Sequence, residues 1–503
     1  MSSVPERIEP LWESAAGSSR RASGRSIASK VRTSAGIALL GVISGFAVAV
    51  GGLNGLYLCI SLVGCIFIVR DFRIGALLLI LLLPISRSTV FPHEMLGITG
   101  LNPFNLLLFG TLAAVLLRGL FDGSLRSFIP RPLLWLYIVP IVIAGTLGLL
   151  HFDEIPPQLF INVIEYKSRA GYFLDLIIKP LSMVLYALLV AAAVSRSEKP
   201  EKFLVPVLIS TWVMVALVLV FVWQSGISLR ELASSESREF LSPLGMHASE
   251  LGRLYAAAYA LLLFIWAESK SHGFRLVLLV SMGLVVIALV LTFARGAFLG
   301  FVVINALFLF WRRNAKTLIL FGALAVCALL LMPEAVYDRV STGFGHGADS
   351  GSDALSAGRI EHIWLPLLPE IPRSPIYGHG LGSILWSEPM RRGPGAAILA
   401  VGHPHNAYLQ ALLDMGVVGL VLLCAYFVHV WKGFRALSVD PAVSPTLRGF
   451  YLGAAAGLAS LLISYATDST LTPSPEQAFL WLAIGMMYGQ RAKGPAPASV
   501  RAS

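Results

Sequence analysis

The chain has 503 residues, 56% of them hydrophobic and 13% charged, whereas a soluble domain carries about 25% charged residues. That composition excludes an ordinary soluble enzyme and makes lipid the solvent. The formal charge of +10 invites a nucleic-acid reading, but the basic residues form short clusters between apolar segments instead of one basic face, so membrane topology explains them better.

Residues 1–34 are rich in Ser and Arg and run, without a small-residue cleavage site, into an apolar segment too long for a signal peptide. They are expected to form a disordered cytoplasmic tail. From 35 to 492, apolar segments recur at the length of about 20 residues that a helix needs to cross the hydrocarbon core. About 14 (12–14) transmembrane helices are expected, centred near Val42, Leu62, Leu79, Gly110, Val142, Leu185, Met214, Leu261, Gly283, Asn305, Leu324, Val418, Ala459 and Ala483, the third and last being short. The fold class is therefore an all-α, polytopic integral membrane bundle, followed by a cytoplasmic tail at 493–503. The four cysteines, Cys59, Cys65, Cys327 and Cys424, lie inside apolar segments and read as packing residues.

Charge orients the spans. Arg70 and Arg73, then Arg118, Arg126 and Arg131, then Arg196, Lys199 and Lys202, then Arg312, Arg313 and Lys316 fall on alternate loops. The positive-inside rule assigns those loops and both termini to the cytoplasm, and the long loop from about Pro333 to His405 to the outside. A loop of that length is functional or disordered. Trp364, Trp386, Tyr377 and an apolar stripe of Ile360, Ile363, Trp364, Leu367 and Leu368 at helical spacing predict that most of it folds onto the membrane surface, with Gly343 to Ser356 mobile.

Three places carry polar groups that apolar packing does not explain, and this topology puts all three at the outer surface. Arg295, in Ala294-Arg295-Gly296-Ala297, interrupts an apolar run from Val277 to Trp311. It marks the turn of a helical hairpin, facing an anion or simply snorkelling to water. Gly358-Arg359 opens the amphipathic loop segment and is followed by Pro375-Ile376-Tyr377-Gly378-His379-Gly380-Leu381-Gly382, whose glycines suit either close approach to a ligand or a tight structural turn. Gly402-His403-Pro404-His405-Asn406-Ala407-Tyr408-Leu409 leads into the next span. Pro404 suits a first helical turn, which sets His405 at a helix N-terminus, a place that binds anions and favours a neutral imidazole able to act as a base. A cap or a weak metal site is the competing reading of the His pair. With no nearby Cys or carboxylate cluster, a metal site is poor, and chemistry without metal or cofactor is expected.

Taken together, Ala294-Arg295-Gly296-Ala297, the Gly358-Arg359 to Gly382 loop, and His405-Asn406-Ala407-Tyr408-Leu409-Gln410 through Asp414-Met415-Gly416-Val417-Val418-Gly419 resemble the bacterial O-antigen ligase and polymerase superfamily, in order and spacing, from roughly Ser210 to Gly489. Ala294 stands where Ser is common and Asp414 where Glu is common, and Met246 to Gly252 only loosely resembles the Asn-containing motif of that family. The resemblance implies an inverting glycosyltransferase of the bacterial inner membrane. It implies an undecaprenyl diphosphate-linked glycan as donor, a glycan or lipid A core as acceptor, membrane lipid around it, no nucleic acid, and room for a chain-length regulator. By matched position, Arg295 and Arg359 bind the donor diphosphate and His405 is catalytic, supported by Asn406, His403, His379 and Asp414.

The number of spans and the extended N-terminal half lean toward a repeat-unit polymerase of exopolysaccharide or O-antigen; a ligase moving finished polymer onto lipid A core or protein shares the same residues. A flippase, suggested by Pro140, Pro180 and Pro206, is more distant, because the spans carry almost no ionisable residues at mid-depth.

Overall fold

A computed structural model describes residues 41–49, 51–86, 88–89, 91–123, 128–164, 166–228, 231–232, 236–314, 358–391, 401–467 and 470–493, with isolated positions 319, 334, 336, 337 and 356. Both expected tails, apart from Lys493, lie outside the described residues, as do the span near Leu324 and the stretch Gly343 to Ser356, apart from Ser356 itself.

Among the described residues ten helices are long and apolar enough to span a membrane. They are α1 (Gly51–Arg70), α3 (Pro103–Asp122), α4 (Arg131–Leu150), α5 (Arg169–Ser195), α6 (Pro200–Ser225), α7 (Ala248–Glu268), α8 (His272–Leu291), α9 (Arg295–Arg312), α10 (Ala407–Val439) and α11 (Pro445–Ser464). Each coincides with an expected span. The two short spans are the apolar helix α2 (Phe72–Ile85) and α12 (Ala478–Ala492). The protein is thus an all-α polytopic membrane protein.

The chain divides into two compact units, 1–66 with 92–106, and 67–91 with 107–503. In the first, Glu94–Met95 pairs antiparallel with Ile98–Thr99 across a two-residue turn whose central residues, Leu96 and Gly97, both have positive φ, as a primed hairpin turn requires.

The second unit is organised about α7, whose apolar window is 89% buried. Its closest neighbour is α11, which presents Gly449, Gly453 and Gly457 at four-residue spacing. A Cβ at Gly453 would stand 2.6 Å from the Ala260 carbonyl oxygen and one at Gly449 2.5 Å from that of Phe264, so main chain lies against main chain. In lipid, where apolar side chains gain little by leaving solvent, such small-residue stripes drive helix association through packing.

Basic groups collect at one end of this unit. Arg118 donates to the Arg70 carbonyl (2.8 Å), Lys493 to that of Ser197 (2.6 Å), Arg196 pairs with Asp122, and Arg312 with Glu268 (2.8 Å). Arg118 and Lys493 meet carbonyls at or just after helix C-termini, where positive charge is favourable, while Arg196 and Arg312 pair with carboxylates.

At the opposite end, the loop segment 358–391 packs on protein. Ile363 and Leu367 of the predicted stripe are buried, with Trp364 against them, in a cluster with Phe152, Tyr166, Tyr172, Trp386 and Met390. Leu368 remains 46% exposed. The stripe therefore docks chiefly on the α4–α5 connection.

Candidate active site

The short turn that follows α11, residues 464–467, is where the three sequence segments meet. Arg295 is the first residue of α9, after a three-residue turn from α8 in which Phe293 has φ 46°. This matches the predicted hairpin. A Cβ at the adjacent Gly296 would lie 3.9 Å from Thr467 Oγ1 and 4.0 Å from Ser464 Cβ, which sets the start of α9 against the turn. Arg359 caps the segment Ile360–Trp364, and its Nη1 donates to the Thr467 carbonyl. Ala407 N, two residues after His405, donates to the Tyr465 carbonyl at 2.9 Å.

His405 lies differently from expectation. Helix α10 starts at Ala407 with Asn406 as N-cap, so Pro404 and His405 precede the helix. Asn406 Oδ1 accepts from Tyr408 N and Leu409 N, both at 3.1 Å. Ala407 N is engaged by Tyr465 and Gln410 N by the Asn406 carbonyl (2.9 Å). The first amides of α10 are therefore all occupied, and the helix N-terminus does not offer them to an anion, as the position of Pro404 had suggested. The physical reason is that Asn is a far stronger cap than Pro and sets the boundary.

His405 has φ 52°, unusual for a side chain larger than glycine. His403 is close by: the ring centroids are 4.0 Å apart, and His403 Nδ1 lies 3.3 Å from His405 N, which donates to it. Trp364 Nε1 donates to the Pro404 carbonyl at 2.8 Å, tying the histidine strand to the Arg359 segment. Arg295, Arg359, His403 and His405 are thus gathered around one turn, with Asn406 fixing the helix start.

His379 and Asp414 are gathered elsewhere, at a kink in α10. Gly416 there has φ 64° and ψ −170°, a conformation that glycine alone tolerates. The segment 375–382 enters the kink and hydrogen-bonds its main chain: His379 N to Leu413 O (2.8 Å), Gly380 N to Asp414 O (2.9 Å) and Val417 N to Pro375 O (2.8 Å). Asp414 is buried and accepts from Ser383 N (3.0 Å) and Oγ (2.7 Å). The glycines of this run serve close approach to the chain's own backbone; a Cβ at Gly378 would fall 2.6 Å from the Asp414 carbonyl oxygen. Gly416→Ala is expected to lower stability by about 1–3 kcal/mol from backbone strain alone. A melting temperature in detergent equal to wild type would contradict the docked kink.

Two residues not singled out in the sequence are prominent. Arg253 in α7 is 3% exposed and pairs with the fully buried Glu476, Nε to Oε2 at 2.7 Å. Glu476 closes the loop that begins at the turn. Tyr137 OH donates to Leu471 O (2.7 Å) and Gln477 Nε2 to Thr472 O (3.0 Å), fixing the same loop. The available signal was an arginine set more than a turn inside a mostly apolar span, which in lipid implies a partner.

Fold and site define a polytopic, all-helical membrane protein with two arginines and a histidine pair at one end of its bundle. Residues 278–424 match the family model described as O-antigen ligase. That stretch carries Arg295, Arg359, His405 and Asp414, and it bears out the resemblance to the O-antigen ligase and polymerase superfamily of membrane glycosyltransferases, over a shorter range than Ser210 to Gly489. No curated protein matches the chain.

Proposed function

We propose that the chain is an inverting, metal-independent glycosyltransferase that moves a glycan from undecaprenyl diphosphate to an acceptor hydroxyl at the outer face of the bacterial inner membrane, serving polymerisation of surface polysaccharide repeat units. The observation that carries this reading is the assembly of Arg295, Arg359 and His405 around the 464–467 turn, inside the stretch that matches the O-antigen ligase family. The collection of basic groups at the opposite end supports an outward-facing site and cytoplasmic termini.

In the reaction the acceptor oxygen forms a bond to the anomeric carbon on the face opposite the leaving group. The bond from that carbon to the diphosphate oxygen breaks, and the diphosphate keeps the electron pair. Guanidinium groups suit that departing charge because their forked donors match phosphate geometry, and they act most strongly where water is sparse. The proton of the attacking hydroxyl passes to His405.

Two measurements test this. Lipid-linked glycans extracted from cells lacking the chain are expected to be single repeat units. Long chains retained on the carrier would replace polymerase by ligase, and an unchanged profile would overturn the enzymatic reading. Arg295→Lys is expected to lower transfer by ~10²-fold, because an ammonium cannot form the bidentate contact; a wild-type rate would remove Arg295 from diphosphate binding.

A further inference from the structure

A cavity of about 310 Å³ lies between the 151–154 turn after α4 and the loop residues 367–391. Its volume is at the lower bound for small-ligand sites. Leu367, Ile384 and Leu413 give it apolar walls, and the His151 ring stacks on Trp386 with centroids 5.6 Å apart and 18° between planes. Its charges are mutually paired. Arg373 bridges Glu370 and Glu388, Arg391 pairs with Glu154, and His151 Nδ1 lies 2.7 Å from Glu154 Oε1. The His151 hydrogen bond, aided by Arg391, holds the Glu154 carboxyl below the usual carboxylate range.

Two buried groups in this wall are incompletely satisfied. Glu370 is 6% exposed; its Oε1 accepts from Arg373 Nη1 (2.8 Å) and Glu388 N (3.1 Å), while its other carboxylate oxygen accepts no hydrogen bond among the described residues. Trp386 is 5% exposed and its Nε1 has no acceptor among the described residues. A buried donor such as Trp386 Nε1 is costly unless a ligand or water meets it, and the second Glu370 oxygen keeps its acceptor capacity.

We propose that this cavity is a binding subsite for an uncharged, hydroxyl-rich sugar unit of the glycan, an inference that rests on the glycosyl-transfer reading above. An anion would meet three carboxylates and a cation two guanidinium groups. A sugar hydroxyl donates to Glu370 Oε2 and accepts from Trp386 Nε1, and the carbon faces of the ring rest on the apolar walls. The sugar belongs either to the donor chain or to the acceptor.

The test uses the full chain in lipid nanodiscs and the repeat-unit oligosaccharide released by mild acid from the host's lipid-linked glycan, with binding followed by saturation-transfer NMR. Wild type and His405→Ala are expected to bind alike. Glu370→Gln keeps the acceptor facing Arg373 and presents an amide donor in place of Oε2, so binding should weaken about tenfold. Trp386→Phe, which keeps most of the packing, should weaken it in the same direction and serves if Glu370→Gln fails to fold. No binding to wild type, or binding unchanged in both variants, overturns the subsite. In transfer assays Glu370→Gln should raise KM about tenfold for whichever substrate places its sugar there, donor or acceptor. Glu370-dependent binding by a wild-type protein that performs no transfer would uphold the cavity and overturn the enzymatic reading.

Discussion

His405→Ala is expected to insert and fold yet lose transfer by ~10²–10⁴-fold, the usual worth of a general base. His405 is only half-buried, and neither the Asn406 cap nor the Ala407 to Tyr465 hydrogen bond uses its side chain. Its left-handed backbone is the one complication, because alanine at that φ costs about 1–2 kcal/mol. His405→Asn removes the complication: asparagine tolerates this conformation and supplies no base, so it should be as inactive as alanine and melt like wild type. Rates near wild type in both variants would remove His405 from the chemistry. Inactive alanine with active asparagine would assign it an orienting role.

The second large effect is expected at the Arg253–Glu476 pair. Arg253→Met leaves a fully buried carboxylate without its counter-ion, and breaking a buried pair in this way costs about 3–5 kcal/mol. Glu476→Leu alone should cost as much. The double variant should recover most of the loss, since a buried pair replaced by apolar groups is often near neutral. Melting temperatures of the three proteins in detergent decide it; a double variant as unstable as the two losses summed would show that the pair is not a unit. Because Glu476 closes the loop that starts at the 464–467 turn, the single variants should also lose transfer as that turn loosens.

What could be read from the sequence divides along physical lines. The ten long apolar helices among the described residues were legible, because length and hydropathy are local properties. Arg295 was legible for the same reason: one guanidinium in an apolar run must mark a turn or a partner. The start of α10 was misplaced because Pro404 and Asn406 both signal helix entry, and the capping energy of asparagine prevails. The glycines of 378–382 announced close approach without naming what approaches; the partner is the kinked backbone at 413–418. Arg253 signals that it needs a partner, but that partner, Glu476, is 223 residues away, and the cavity is walled by the 151–154 turn, residues 367–391 and Leu413, which share no local pattern.

The 464–467 turn holds Arg359 and the strand behind His405 through main-chain carbonyls, those of Thr467 and Tyr465. A carbonyl survives every side-chain replacement, so these two anchors depend on the turn's path, while the buried Ser464 and Tyr465 side chains hold that path in place. The anchoring is registered in chain length and backbone course, and a single inserted residue displaces both carbonyls at once.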